Sequence, residues 1–469
     1  MRRTLAFACL LFAAALPSSA LAAARMFIGF QDDPSLRWRE DRGAVFDQAA
    51  QANASLVRTT VYWSRIAPQR PAVATDPFDS SYRFDDLDEF VRSAQLRGIE
   101  VMLTIWGTPT WANGGKGQNR APTRTQDLQN FAQALASRYS GRFAGLPHAR
   151  YFTVWNEPNL GQFLSPTFNS AGKPASPFIY AKLYRAAYAG IKAGNPSALV
   201  GIGETSPRGR DKPSPSPGQL QDTLSPGTFA RLLSTAKPKL KFSAWAHHPY
   251  STLGAKPTQR YRFPNVNLSN MTTFEKKLDQ WFHRKSIPIW ITEYGFETKP
   301  AEPKGVTVAQ QAAYMRQAVG IAARDPRVEV FIWFILRDDP TSTWQSGLIT
   351  RDGTKKPAFP VFSSLAKLLD GRNPIVRVKV GVVPVLRIPV LEFAARDGVG
   401  ATIGADIRLY QRPSGKFVSV AQLAGTIGVD GRVSFVFGKS TVKTSYDVTF
   451  DFNDKSGNTL RRTAWLIYD

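Results

Sequence analysis

Disulfide chemistry is closed to this chain, because its 469 residues include a single cysteine, Cys9, which lies in the first apolar stretch. A protein of this length buries most of its surface on folding, so a core and not cross-links must hold it together. Histidine is also scarce, four in all, and none has a third ligand at metal spacing, so no metal is expected. Nothing resembles a Gly-rich nucleotide loop, and no organic cofactor is expected either. Beyond residue 24 no stretch reaches the roughly 20 apolar residues of a membrane-spanning helix. Acidic residues are outnumbered, 36 Asp and Glu against 60 Lys and Arg, for a formal charge of +24. The basic residues are dispersed, with runs no longer than Lys355-Lys356 or Arg461-Arg462, which reads as a solvated basic surface and excludes a nucleic-acid site. The bias suits contact with an acidic glycan or an anionic envelope.

At the N-terminus, Arg2 and Arg3 precede an apolar run from Leu5 to Leu16, and Ser18 to Ala24 is a small-residue region. That order predicts a secretory signal peptide over 1–24 and a secreted mature chain. The arginine pair is ordinary in such signals and does not by itself mark twin-arginine export.

From 25 to 370, short apolar runs alternate with longer amphipathic stretches, the pattern of βαβ units. Eight runs read as strands: 26–30, 56–61, 100–105, 151–155, 199–203, 242–246, 289–292 and 328–333. Helices are expected over 86–97, 125–139, 177–193 and 308–323, and the Pro-, Ser- and Gly-rich segment 206–227 reads as a surface loop. The count predicts a (β/α)8 TIM barrel, with a doubly wound open sheet as its rival. Over 371–469 the pattern changes to β-branched alternation, in runs starting at Ile375, Asp406, Lys416, Arg432 and Ser445. These predict a small immunoglobulin-like β-sandwich with an accessory role.

Two glutamates close apolar runs, in Tyr151-Phe152-Thr153-Val154-Trp155-Asn156-Glu157-Pro158-Asn159 and in Ile289-Trp290-Ile291-Thr292-Glu293-Tyr294. An apolar parallel strand that ends in a carboxylate delivers one charge to the barrel mouth, and two such strands suggest acid/base work on a polar substrate. Asn156 and Glu157 both reach the mouth only if regular pleating breaks at the strand tip.

Trp155-Asn156-Glu157-Pro158 resembles the acid/base signature of clan A glycoside hydrolases, retaining TIM-barrel enzymes with the acid/base after strand four and the nucleophile at the end of strand seven. Glu157 and Glu293 stand on strands four and seven here. The segment is similar to the β-xylosidase and iduronidase family, family 39, departing from it at Thr153. It is also similar to the cellulase-type family 5, whose His-x-Tyr matches His248-Pro249-Tyr250 and whose strand-two arginine matches Arg58. The resemblance implies hydrolysis of O-glycosidic bonds in a β-linked polysaccharide, with Glu157 as acid/base and Glu293 as nucleophile. Retention requires the carboxyl groups to stand about 5 to 5.5 Å apart. It further implies that Asn156 binds the sugar 2-hydroxyl, that Arg58 and Tyr250 hold Glu293 ionised, and that Trp333 floors the reactive sugar. Arg58, His248, Tyr250, Trp333 and Trp106 are thus expected to bind substrate, with Trp111 and Trp344 as further stacking faces. Glu204 and Glu297 are the alternative nucleophiles. A transglycosylase using the same pair, and a glycan-binding barrel without turnover, are the competing functions.

Overall fold

The computed structural model describes residues 26–467 apart from 144, 216–220, 340–343, 371–375, 384–387, 396–401, 412–415, 429–431, 437–444 and 454–458. The expected signal peptide therefore lies outside the described residues. Eight parallel strands close a barrel in chain order: β1 (Phe27–Gln31), β2 (Leu56–Tyr62), β3 (Glu100–Trp106), β4 (Tyr151–Val154), β5 (Leu199–Thr205), β6 (Ala244–His247), β7 (Ile289–Tyr294) and β8 (Val328–Phe334). β8 returns to pair with β1, which removes the open edge of the rival sheet.

Alternation along the strands builds two regions. Inside the barrel, Leu56, Met102, Tyr151, Ala244, Ala246, Trp290, Val330 and Ile332 form a closed apolar plug. Trp290 claims the space opposite β5: a Cβ on Gly201 would lie 2.8 Å from its ring, so only glycine fits there. Outside the strands lies a larger apolar shell, covered by helices. The helices Thr125–Arg138 and Ser176–Gly194 pack closest, because a Cβ at Gly190 would meet the Gln129 carbonyl at 2.1 Å and one at Gly194 the Gln133 carbonyl at 2.4 Å. The helix Val308–Ala323 starts at a capping box of Thr307 and Gln310.

The helices Arg42–Gln51, Pro226–Leu233, Met271–Phe282 and Ala358–Asp370 were not anticipated. Arg42–Gln51 has almost no amphipathic bias to read. Pro226–Leu233 opens inside the stretch expected to be a loop, with Ser225 capping the Thr228 N–H and Pro226 in the first turn.

Beyond Asp370 the described strands are antiparallel and lie in two sheets. β9 (Val376–Val383), β10 (Ile388–Ala395) and β13 (Arg432–Val436) form one, in the order β13-β10-β9. β11 (Thr402–Gln411), β12 (Lys416–Thr426), β14 (Ser445–Asn453) and β15 (Thr459–Ile467) form the other, in the order β12-β11-β14-β15. A Cβ on Gly425 of one sheet would lie 2.7 Å from the Phe435 ring of the other.

Candidate active site

The strand tips of the barrel surround a cavity of about 700 Å³, floored by Glu157 and Glu293. Trp155, Glu157 and Glu204 each take a positive φ, of 71°, 37° and 47°. These are costly backbone states for non-glycine residues, and they break the pleat. Asn156 and Glu157 consequently both line the cavity, while Trp155 turns into the shell, where its indole donates to the Phe163 carbonyl at 2.7 Å.

Arg58 is the hub beneath the floor. Fully enclosed on β2, it donates through Nε to Thr104 Oγ1 at 2.8 Å and through Nη1 to Glu293 Oε1 at 2.7 Å. Its Nη2 serves both Asn156 Oδ1 at 3.0 Å and Glu204 Oε2 at 3.1 Å. With its oxygen occupied, the Asn156 amide presents its N–H donors to the cavity. Tyr250 donates to Glu293 Oε2 at 3.2 Å. Burial and the neighbouring carboxylates push the Tyr250 hydroxyl well above its ordinary value, so it stays a donor.

His248 bridges the carboxylates, Nδ1 to Glu157 Oε1 at 3.0 Å and Nε2 to Glu204 Oε2 at 2.8 Å, with Glu293 3.5 Å away. Burial alone would lower it, but Glu293, Glu157 and Glu204 outweigh that and push it up to about 10. Glu204 is pushed up by burial yet held at about 2 by Arg58 and His248. Glu293 is raised: burial and the Glu157 charge prevail over His248 and Arg58. Arg58 and Tyr250 thus bind Glu293 as anticipated, but they do not win the electrostatic balance.

One donor atom from each of Glu157, His248 and Glu293 lies within 4.8 Å of the others, close enough to hold an ion. A histidine donating from both ring nitrogens has no lone pair left for a metal, so this donor set does not suit one.

Three expected substrate contacts lie elsewhere. Arg58 and His248 are wholly enclosed under the floor and can act on a substrate only through the side chains they hold. Trp333 is also fully buried: it points into the shell against Tyr294 and Phe296, and its indole donates to the Ser346 carbonyl at 2.8 Å. The reason is parity. Val330 and Ile332 face the barrel interior, so Phe334, not Trp333, reaches the cavity. Trp106 and Trp344 line the cavity, whereas Trp111 lies under Arg70, whose guanidinium is 4.4 Å from its ring. Of the alternative carboxylates, Glu297 lines the cavity wall and Glu204 is sealed beneath it.

Sequence reasoning missed the β1 side of the cavity, where Gln31, Asp33 and Trp38 contribute. A polar cluster at the end of an apolar strand, Gln31-Asp32-Asp33, was the available signal.

A family model described as cellulase (glycosyl hydrolase family 5) matches residues 27–335, well over half of the chain. The chain belongs to that family. Of the two families its motif resembles, the match is thus to the cellulase type. A β-glucosidase-like protein of the rice Oryza sativa subsp. japonica, described as chloroplastic, is 27% identical over 130 residues, 27% of this chain. The chain spans only 18% of the length of that protein. Among solved structures, a glucosidase from Croceicoccus marinus superposes with a TM-score of 0.55 at 14% identity, covering 91% of this chain and 95% of its own. GH5_18 from Streptomyces cattleya, solved with GlcNAc, gives 0.53 at 16% identity over 75% of this chain and 82% of its own. At such identities the likeness is one of fold.

Proposed function

We propose that this protein is a retaining glycosidase for a β-linked glycan, with Glu157 as acid/base and Glu293 as nucleophile. The observation that carries the reading is the approach of their carboxylate oxygens to within 4.8 Å across the cavity floor, on the scale of the separation that retention requires. Glu293 attacks the anomeric carbon as the glycosidic C–O bond breaks, and Glu157 passes its proton to the leaving oxygen. Water then attacks the anomeric carbon of the glycosyl-enzyme, Glu157 takes its proton, and the Glu293 ester bond breaks. Arg58 and Tyr250 hold the two Glu293 oxygens, and the Asn156 amide is placed to donate to a hydroxyl beside the reacting carbon.

The segment 1–24 would export the protein, placing a polysaccharide within reach, and the strands beyond residue 370 would form an immunoglobulin-like sandwich in an accessory role. The basic surface favours an acidic glycan or envelope over a neutral one. The fold shared with the glucosidase from Croceicoccus marinus makes glucosides the neutral substrates to try beside acidic glycans.

The test is reducing-end release from β-glucans, xylans, mannans and acidic exopolysaccharides by wild type and Glu293→Gln, followed by mass spectrometry after trapping with 2-deoxy-2-fluoro aryl glycosides. Release by wild type alone, with the label on Glu293, is expected. Equal release by the variant would overturn the reading, and products lengthened by an added acceptor sugar would point to transglycosylation.

A further inference from the structure

Three charged side chains under the cavity floor are wholly enclosed: Arg58, Glu204 and His248. Glu204 lies outside the cavity lining and cannot touch a substrate there, yet a single oxygen of it, Oε2, accepts from Arg58 Nη2 at 3.1 Å, His248 Nε2 at 2.8 Å and Thr292 Oγ1 at 2.8 Å. Those partners come from β2, from the residue just past β6, and from β7. The two cations among them continue upward to the reacting pair, Arg58 to Glu293 and His248 to Glu157.

We infer that Glu204 is a positioning residue that sets the charge of the pair: its fixed negative charge offsets one of the two buried cations, so the cluster is neutral when Glu157 and Glu293 together carry a single negative charge. A second negative charge on the pair would leave the enclosed cluster with a net charge, which burial disfavours. The inference rests on the reading of Glu157 and Glu293 as the reacting carboxylates, and it explains how a pair this close stays half-ionised. That state is the one the first step consumes.

The other groups facing the cluster do not upset the count. His247, beside His248, is held neutral, its value lowered by burial to about 3. Tyr180, from the helix behind β5, donates to the Val154 carbonyl and is raised well above its ordinary value by burial. Tyr250 likewise keeps its proton. Thr104 and Thr153, hydrogen-bonded at 2.7 Å, are uncharged. Asp33, felt by Arg58 from just beyond β1, accepts from the Thr59 hydroxyl and the Thr60 N–H; the buried Arg37 donates to the same Thr59 hydroxyl and offsets the Asp33 charge, while Asp86, the other partner of Arg37, is exposed to solvent.

The test is the pH profile of kcat/KM for wild type and Glu204→Gln, with thermal unfolding to confirm that the variant is folded. Taking one negative charge from the cluster makes every remaining group give up its proton more readily, so both limbs are expected to move to lower pH by about one unit. A folded variant that loses activity with unmoved limbs would show a merely structural residue and overturn the inference. A second measurement needs no variant at this position. 15N spectra of histidine-labelled wild type at about pH 8 are expected to show both His248 ring nitrogens protonated, and a neutral ring would remove one of the cations the balance requires. Because the ring's charge can be read whichever carboxylates react, full activity in Glu293→Gln together with a charged His248 would sink the pair while the charge balance stood.

Discussion

Two regions meet at the ends of the barrel strands, the mouth and the shell between strands and helices, and neighbouring residues are divided between them. His247 and His248 make the contrast sharpest. His248 turns to the barrel side, directly beneath the floor of the mouth, and bridges carboxylates, which push it up to about 10. His247 enters the shell, donates from Nε2 to the Val266 carbonyl at 3.1 Å, takes the Thr205 hydroxyl on Nδ1 at 2.9 Å, and packs on Phe274. Burial lowers it to about 3. The same side chain is therefore a fixed cation in one region and a packed neutral ring in the other. Strand parity, more than residue type, decides which residues can do chemistry.

If the mouth carries activity and the shell carries stability, substitutions should separate the two. The largest effect belongs to the floor of the mouth: Glu293→Gln and Glu157→Gln should each lower kcat/KM by about a thousandfold or more, while the unfolding midpoint shifts little. Rates on an alkyl glycoside, whose leaving oxygen needs the Glu157 proton, alongside calorimetry would show this. Comparable losses in both readouts would erase the distinction between the regions.

Trp333→Ala is the counterpart in the shell. It removes a fully buried indole from its contacts with Tyr294 and Phe296 and leaves the Ser346 carbonyl with Gln311 Nε2, at 3.0 Å, as its remaining side-chain donor, so a loss of about 3 to 5 kcal/mol is expected in denaturant unfolding. The folded fraction should keep its pH limbs. A wild-type midpoint combined with a raised KM would mean that Trp333 reaches the substrate after all.

The two histidines also predict opposite arms of a pH–stability curve. The folded His247 value lies below the ordinary one, so from about pH 6.5 downward the unfolded ring binds a proton that the folded ring refuses, and stability falls towards pH 3. For His248 the folded value lies above, so its contribution is complete below about pH 6.5 and is lost as pH rises to about 10. Each arm has a limiting slope of about 1.4 kcal/mol per pH unit. His247→Gln should flatten the acid arm in chemical unfolding and leave the alkaline arm in place; an unchanged acid arm would mean His247 is charged in the fold.

The barrel was legible because parallel strands buried on both faces read as unbroken apolar runs, and the expected strand beginnings lie close to the observed ones. Glu157 and Glu293 were legible for the same reason, since a carboxylate that closes such a run has nowhere to go but the mouth. What lay hidden depended on orientation and depth. Trp333 and Phe334 are adjacent aromatics, and only counting parity back from Val330 separates them. Arg58 and His248 were assigned to the substrate on their resemblance to the strand-two arginine and the His-x-Tyr of family 5; nothing local says that carboxylates above and below would seal them in. Glu204 appeared as a rival nucleophile, and its place beneath the floor follows from a tertiary pairing with β2, β6 and β7. The helix Arg42–Gln51 shows almost no hydrophobic bias along its faces, so tertiary packing supplied what the pattern lacked.

The smallest effects should come from loop tryptophans, which sort between the same two regions. Trp106 ends β3 half-buried on the cavity wall, edge-on to Tyr62 and Phe163, with its indole donating to the Phe163 carbonyl at 3.3 Å. Trp111, five residues later, is held away from the cavity by the Ala67 carbonyl at 2.8 Å and covered by Arg70. A sugar ring stacked on Trp106 gains about 1 kcal/mol from an aromatic face, so Trp106→Ala should raise KM about fivefold with kcat nearly unchanged. Trp111→Ala should leave KM alone and lower the unfolding midpoint instead. If both variants moved KM alike, the substrate would extend over the outer rim of β3, and the boundary between mouth and shell would have to be redrawn there.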